Sequence, residues 1–410
     1  MELTLTDLDL LSDYEKIKEP FFTKRRFKHA DLVKLLEKFS FEKEVVGQSF
    51  EGRDIYKVKL GSGKTEVLLW SQMHGNEATA TMAIVDILNY FQETSNGFVE
   101  DILNGLTLHL VPMLNPDGAE RFIRRTAQQI DMNRDALALV CPESKLLKKL
   151  QEDIKPAFSF NLHDQNVRYS AGATKNQAAI SFLATAYNEA TEWNENRTKA
   201  MQVICEMNAV LQQIIPDKVG RFSDEFEPRA FGDNIQKWGS SLILIESGGY
   251  GTDHEKMYLR KLNFLIILKA LESINVGAYK TKNLADYSAI PTNQKYLFDL
   301  LIRNVNMEGE TVDIGINKDE VNIEKATDFE FNSIVEDIGD LSTFWGIETF
   351  DATGYTLSPL SDFLEILTSF KVKKEDLGRL EFEKKANFAL TKNGELCHLV
   401  LNGEFVAVPS

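Results

Sequence analysis

Val67–Phe91 reads VLLWSQMHGNEATATMAIVDILNYF, and its hydrophobic period changes in the middle. Val67–Met73 is an apolar run of strand length, separated from a second strand-like run, Ile55–Leu60, by a glycine-rich turn. Ala78–Phe91 then sets Met82, Val85, Leu88 and Phe91 on one helical stripe, which Ile84 and Ile87 widen. Strand followed by amphipathic helix is the building unit of a layered α/β fold. Further along the chain, Leu106–Met113, Ala157–Leu162 and Leu242–Ile245 read as more apolar strands, and Asn176–Asn188 and Arg197–Ile215 as helices. The alternation predicts a mostly parallel or mixed central sheet flanked by helices. Sites in such sheets gather beyond the carboxyl ends of strands. His74, Asn115, His163 and Glu246 all fall at predicted strand ends.

Upstream, residues 1–44 are charged and helix-prone, as in HADLVKLLEKFSFEKE, and form a helical extension joined by a short linker. Residues 45–285 form the α/β domain. From 286 to 410 the pattern shifts to short strands divided by polar turns, as in ETVDIGINKDEVNIEK, TDFEFNSIVED, KKANFALTKNG and ELCHLVLNGEFVAV, which predicts a smaller β-rich C-terminal domain.

The 410 residues are 43% hydrophobic and 26% charged, an ordinary globular balance. With 46 Lys plus Arg against 62 Asp plus Glu, the formal charge of -16 argues against nucleic acid as a partner. The N-terminus has no positive start followed by an apolar run, and no stretch reaches spanning length, so neither a leader nor a membrane partner is expected. Cys141, Cys205 and Cys397 are odd in number and widely spaced, which fits a reducing, cytoplasmic setting better than a disulfide framework. The oligomeric state is not legible.

Gly63-Lys64-Thr65 imitates the end of a phosphate-binding loop, but Val58 stands where the first glycine is needed and a strand follows instead of a helix, so it reads as a turn. The chemistry lies elsewhere. His74 and Glu77, three apart at the start of the helix, can reach one ion, and a second imidazole would complete a zinc set that keeps a position open. Only six histidines occur. His163 sits at a strand end in FNLHDQ; His29 and His398 lie in charged or domain-edge settings; His109 reads as a satisfied strand histidine; and His254 follows the Glu246 loop without an assigned role. Glu246 ends the run Leu242–Ile245, where a carboxylate costs desolvation unless something rewards it; a base beside a metal site or a hydrogen-bonded cap would each do so. Arg121, Arg124, Arg125 and Arg134 crowd into NPDGAERFIRRTAQQIDMNRD and suggest an anion pocket, with one or two of them in ordinary surface pairs.

The series GQSFEGR, HGNE, NPDG, IDMNRD, a later strand-end His and ESGG, from about Val45 to Ala270, resembles the zinc carboxypeptidase family. The resemblance implies one zinc ion held by His74, Glu77 and His163, with Glu246 as general base. It implies Arg124, with Arg125 one step away, as the oxyanion group, Asn133 and Arg134 as the grip on a free terminal carboxylate, and Asp131 as the carboxylate that orients His74. The implied activity is hydrolysis of the C-terminal amide bond of a peptide or peptide-like substrate. A related amidase or deacylase acting on a modified amino acid or peptidoglycan-derived peptide is the alternative, and a peptide-binding module without catalysis a third. One departure stands out: the family's substrate-closing tyrosine has no counterpart between Tyr187 and Tyr250, leaving Tyr169 or Tyr250 as substitutes.

Overall fold

The computed structural model describes residues 5–368, 370 and 372–407, so the first four residues of the predicted helical N-terminal extension and Val408 of the last predicted strand lie outside the described residues. Two units emerge, one of residues 1–172 and 178–293, the other of residues 173–177 and 294–410.

The first unit begins with α1 (Leu5–Ile17), α2 (His29–Glu37), β1 (Glu42–Gln48), β2 (Asp54–Gly61), β3 (Thr65–Ser71), α3 (Thr79–Glu93), α4 (Gly97–Gly105) and β4 (Leu106–Val111). There follow α5 (Pro116–Arg121), α6 (Pro142–Ile154), β5 (Phe158–Asp164), the two-residue β6 (Ser170–Ala171), β7 (Ile180–Leu183), α7 (Glu195–Ile214) and β8 (Val219–Arg221). It closes with α8 (Phe231–Lys237), β9 (Ser241–Ser247), α9 (Met257–Val276) and α10 (Leu284–Ser288). Eight strands form one mixed sheet in the order β1-β2-β4-β3-β5-β9-β7-β8. Its centre, β4-β3-β5-β9, is parallel, and its strands are buried on both faces, as helices on both sides require. On one side the core is Leu68, Trp70, Val111, Leu147, Phe231 and Leu242 with their neighbours.

Two local readings differ from the sequence pattern. The linker before Gly47 is an edge strand, β1, antiparallel to β2. The Asn176–Asn188 helix is absent: Ile180–Leu183 is a strand antiparallel to β9. Residues 178–186 are all buried, so both faces need apolar or small side chains, and an unbroken apolar run carries no period to separate strand from helix. The GSGKT turn is as expected, and a Cβ on Gly63 would lie 1.9 Å from the Gly105 carbonyl carbon, so close backbone approach explains that glycine.

α1 and α2 belong to the first unit. Asp86 of α3, fully buried, accepts from Tyr14 Oη of α1 (2.9 Å), from Glu19 N (2.8 Å) and from Nε and Nη2 of Arg260 on α9 (2.7 and 2.6 Å). Arg260 also donates to the carbonyls of Glu19 and Phe22.

After the two-residue β10 (Asn293–Gln294), the second unit is the expected β-rich part. It contains β11 (Leu297–Met307), β12 (Glu310–Ile323), β13 (Asp328–Gly339), β14 (Trp345–Asp351), β15 (Thr356–Ser358), β16 (Phe388–Lys392), β17 (Glu395–Leu401) and β18 (Glu404–Val406). Seven of these strands run β13-β12-β11-β15-β16-β17-β18, and β14 pairs with β11. Ile302, Val305, Ile314, Val335, Phe388 and Val400 form its core.

Candidate metal and catalytic centre

The sheet order reverses at β3, since β4 packs on one side of it and β5 on the other. Ligand sites of open α/β sheets form at such a crevice. His74 lies three residues past the end of β3, His163 is the penultimate residue of β5, and Glu246 holds the same place in β9. His163 and Glu246 are register partners. His74 and Glu77 share a tight turn before α3, closed by Glu77 N donating to His74 O (3.1 Å), rather than the first turn of the helix itself. A Cβ on Gly75 would lie 2.0 Å from Gly118 of the NPDG segment, so the turn presses directly on that neighbour. NPDG in turn holds the GQSFEGR loop, because buried Asp117 accepts from Ser49 Oγ, Glu51 N and Arg53 Nη1.

His74, Glu77 and His163 are all buried, and one ligand atom of each lies within 4.8 Å of the others. Nδ1 of His74 is 2.8 Å from Glu77 Oε1, and Nδ1 of His163 is 2.7 Å from Glu77 Oε2. His74 Nε2 faces Asp131 Oδ1 at 3.1 Å, which favours the tautomer with its proton on Nε2 and a lone pair on Nδ1. Arg124 Nη1 confirms that polarity, as a pure donor 3.1 Å from His74 Nδ1 and 3.3 Å from Glu77 Oε1. Two acceptors, His74 Nδ1 and Glu77 Oε1, therefore stand in contact, an arrangement that a cation between them would relieve. The surrounding charge argues the same way. Glu77, Asp131, Asp164 and Glu246 converge, and besides the two imidazoles the cations that act on them are Arg124, Lys256 and Arg25. Two imidazole nitrogens and a carboxylate suit zinc chemically. The residues fit a divalent ion.

Electrostatics follow from that crowding. Burial opposes charge on His74, but Glu77 and Asp131 outweigh it and push its pKa up. Burial works to raise Glu77, and the two imidazoles overcome it and hold the carboxyl low. His163 is pushed down, chiefly by burial. Glu246 is pushed well up, first by burial and then by the Glu77 and Asp164 charges. Its Oε2 has no hydrogen-bond partner among the described residues.

Arg124 spans Asp131 and the ligand pair, with Nε 3.0 Å from Asp131 Oδ2. The other arginines divide. Arg121 is taken by Glu51 (2.5 and 3.1 Å), and Arg125 donates to Gln129 O (3.0 Å), so these two form local pairs. Asn133 Oδ1 accepts from Phe231 N (2.9 Å), and Arg134 donates to Asn133 O (2.6 Å) and pairs with Glu227 Oε2 (3.2 Å). Tyr250 packs against Tyr258, with ring centroids 4.6 Å apart, and Tyr169 against Phe222 at 5.5 Å. His109 Nε2 bonds Glu66 (2.7 Å) while its buried Nδ1 has no partner among the described residues, so the expected satisfied histidine is only half satisfied; His29 Nε2 bonds Asp54 O (2.8 Å).

Two groups escaped the sequence reading. Asp164, next to His163, accepts from Thr79 Oγ1 (2.7 Å), and its N donates to Glu77 Oε2 (3.2 Å). Lys256, buried at the entrance to α9, donates to Ser247 O (2.7 Å) and lies 3.6 Å from Asp164 Oδ2. Together they tie the chain beside Glu77, His163 and Glu246 into one network. No spacing in the sequence announces Lys256.

Residues 30–202 match the model of the zinc carboxypeptidase family. Among relatives, chicken carboxypeptidase Z is 30% identical over 114 residues, covering 22% of this chain and 17% of its own length. Carboxypeptidase 2 of Trichophyton tonsurans is 26% identical over 132 residues, 32% of this chain and 24% of its own. The chain thus spans less than a quarter of the length of these curated relatives. Among solved structures, a metallo-carboxypeptidase from Burkholderia cenocepacia aligns over 61% of this chain and 69% of its own, at 16% identity and a TM-score of 0.48. The carboxypeptidase A of Helicoverpa armigera aligns over 69% and 80%, also at 16% and 0.48. The likeness to the zinc carboxypeptidase family is therefore carried by residues 30–202, less than half of the chain. The matched segment holds His74, Glu77, Arg124, Asp131, Asn133, Arg134 and His163; Glu246 lies beyond it.

Proposed function

We propose that this chain is a zinc-dependent carboxypeptidase that hydrolyses the C-terminal amide bond of peptides. The observation that carries the reading is the convergence of His74 Nδ1, His163 Nδ1 and the Glu77 carboxylate, with Glu246 in register beside His163. Zinc held by these three ligands would supply Lewis acidity, lowering the pKa of water and polarising the scissile carbonyl. Glu246 takes the proton of the attacking water and passes it to the leaving nitrogen. Arg124, already beside the ligands, holds the negative oxygen as its charge grows. Arg134, with the Asn133 amide, anchors the substrate carboxylate so that only the terminal bond reaches the reacting centre. Asp131 keeps His74 in the tautomer whose Nδ1 can coordinate. The three cysteines are free thiols, which supports a cytoplasmic site of action as part of the proposal.

A second reading, an amidase or deacylase acting on a modified amino acid or peptidoglycan-derived peptide, is favoured by one feature: the segment between Tyr187 and Tyr250 has no tyrosine to close on a peptide terminus. One experiment separates them. Zinc-loaded protein and the Glu246→Gln variant are incubated with matched peptides bearing free or amidated C-termini, and products are read by mass spectrometry beside zinc content. The expected result is loss of single residues from free termini only, with the variant keeping its zinc and losing on the order of 10²–10⁴ in turnover. Undiminished turnover would remove Glu246 from the mechanism. Zinc bound without cleavage of either set would favour the amidase reading.

A further inference from the structure

Residues 227–231, just before α8, are fastened to residues 133–136 at three points. Ala136 N donates to Arg229 O (3.0 Å), Phe231 N donates to Asn133 Oδ1 (2.9 Å), and Arg134 Nε pairs with Glu227 Oε2 (3.2 Å). The backbone of Glu227 is fixed as well, its N donating to the buried Asp233 Oδ1 (3.2 Å). This rigid attachment delivers a second guanidinium to the neighbourhood of Arg134. Arg229 meets Glu227 edge to edge, Nε with Oε1 at 3.0 Å and Nη2 with Oε2 at 2.9 Å, so a single carboxylate lies between two arginines. Arg229 is also close enough to feel the charge of Asp131, the partner of His74.

The charge count is uneven. Two cations share one anion, in a chain whose overall charge is -16. The arginine side chains are the outward groups, 57% exposed for Arg229 and 41% for Arg134 against 29% for Glu227. Glu227 has both oxygens engaged. Each guanidinium has five N–H donors in a planar fork, and the bonds recorded here use Nε and Nη2 of Arg229 and Nε and Nη1 of Arg134. Donor edges therefore remain for an incoming anion, while a cationic side chain would have to compete with two arginines for one carboxylate.

The geometry points to Arg229 as a specificity residue that, with Arg134, forms a two-guanidinium subsite for substrates carrying a second carboxylate beside the terminal one, as in a C-terminal glutamate or aspartate. This deepens the carboxypeptidase reading and rests on it for the placement of the terminal carboxylate on Arg134. Planar bidentate recognition of carboxylates is what such a pair of forks does well.

The test is calorimetric binding of N-acetyl-glutamate and N-acetyl-glutamine to the zinc-loaded full chain, in the natural form and as Arg229→Gln. The two ligands differ only in the second carboxylate. The expected result is at least tenfold tighter binding of the diacid, with Arg229→Gln bringing the ratio to within twofold. A ratio near one in the natural protein, an equal loss for both ligands in the variant, or no measurable binding of either would overturn the proposal. Tighter binding of N-acetyl-lysine would overturn it too, and would make Glu227 the selecting group. Hydrolysis of peptides ending in Glu or Gln, run alongside, keeps the two readings apart. No cleavage with the binding ratio intact faults the hydrolase, whereas cleavage with no ratio faults the subsite.

Discussion

Asp233 shows at the scale of one residue how the loop beside the clamp sets stability. It lies in the first turn of α8 and is buried, and burial, with some help from the Glu227 charge, pushes its carboxyl up to about 7. A carboxyl raised above its unfolded value favours the folded state while it stays protonated. That contribution is complete below about pH 4 and is lost as pH rises through 7, at about 1.4 kcal/mol for each tenfold change in proton affinity. Asp233→Asn keeps an oxygen for Glu227 N and removes the titration. Urea unfolding should therefore give near parity with the natural protein at pH 4 and a more stable variant at pH 8. An unchanged pH slope would show that Asp233 is not responsible. Nothing in FGDNIQKWG advertises such a carboxyl, since an acid in the first turn of a helix is ordinarily a favourable surface charge. His74, His163 and Glu246 could be read from sequence because they follow or end apolar strands, and Glu77 because it stands three residues after His74 in one of a fixed order of motifs. Lys256 could not, because its partners Ser247 and Asp164 are met through folding, and Arg229 could not, because its neighbour Glu227 reads as a local pair until the fold brings Arg134 to the same carboxylate.

Among the elements, the strands of the parallel centre were legible because their apolar runs end sharply at polar residues. The weak point was β7, whose unbroken buried run reads equally well as a helix. The role of the N-terminal helices was hidden for a different reason. Their attachment runs through Asp86 and Arg260, 174 positions apart, a pair that looks like two unrelated charges on the helices α3 and α9. With both side chains essentially buried, removing one partner leaves the other uncompensated, which costs about 3–5 kcal/mol, whereas replacing both by apolar groups costs much less. Arg260→Met alone should thus lose several kcal/mol in urea unfolding and expose residues 18–28 to limited proteolysis, because the carbonyls of Glu19 and Phe22 lose their donor. The double change Arg260→Met with Asp86→Leu should recover part of that loss. A single variant less than about 1 kcal/mol from the natural protein would show that the pair does not hold α1 to the helical layer.

In the molecule as a whole, the donor atoms all belong to the first unit and come from distant points of its chain: the turn after β3 and the end of β5. An ion that binds these ligands only when they are assembled stabilises the folded state by mass action, by about 4 kcal/mol at a free concentration a thousandfold above its dissociation constant. That stabilisation belongs to the cooperative unit that positions the ligands, and opening of segments remote from it is governed by their own local free energies. The strands of the second unit contribute no atom to the ligand group. Hydrogen exchange of the full chain with zinc and with excess chelator should accordingly show protection lost on zinc removal across residues 71–79 and 158–165. β11, β12 and β13 should keep theirs. If zinc changed protection across both units equally, the ion would be stabilising a single cooperative body, and the division of the chain into a metal-holding part and an independent β-rich part would be wrong. If it changed neither, His74, Glu77 and His163 would not be the ligands, since an ion held by three buried side chains cannot leave without loosening the turn and strand that present them.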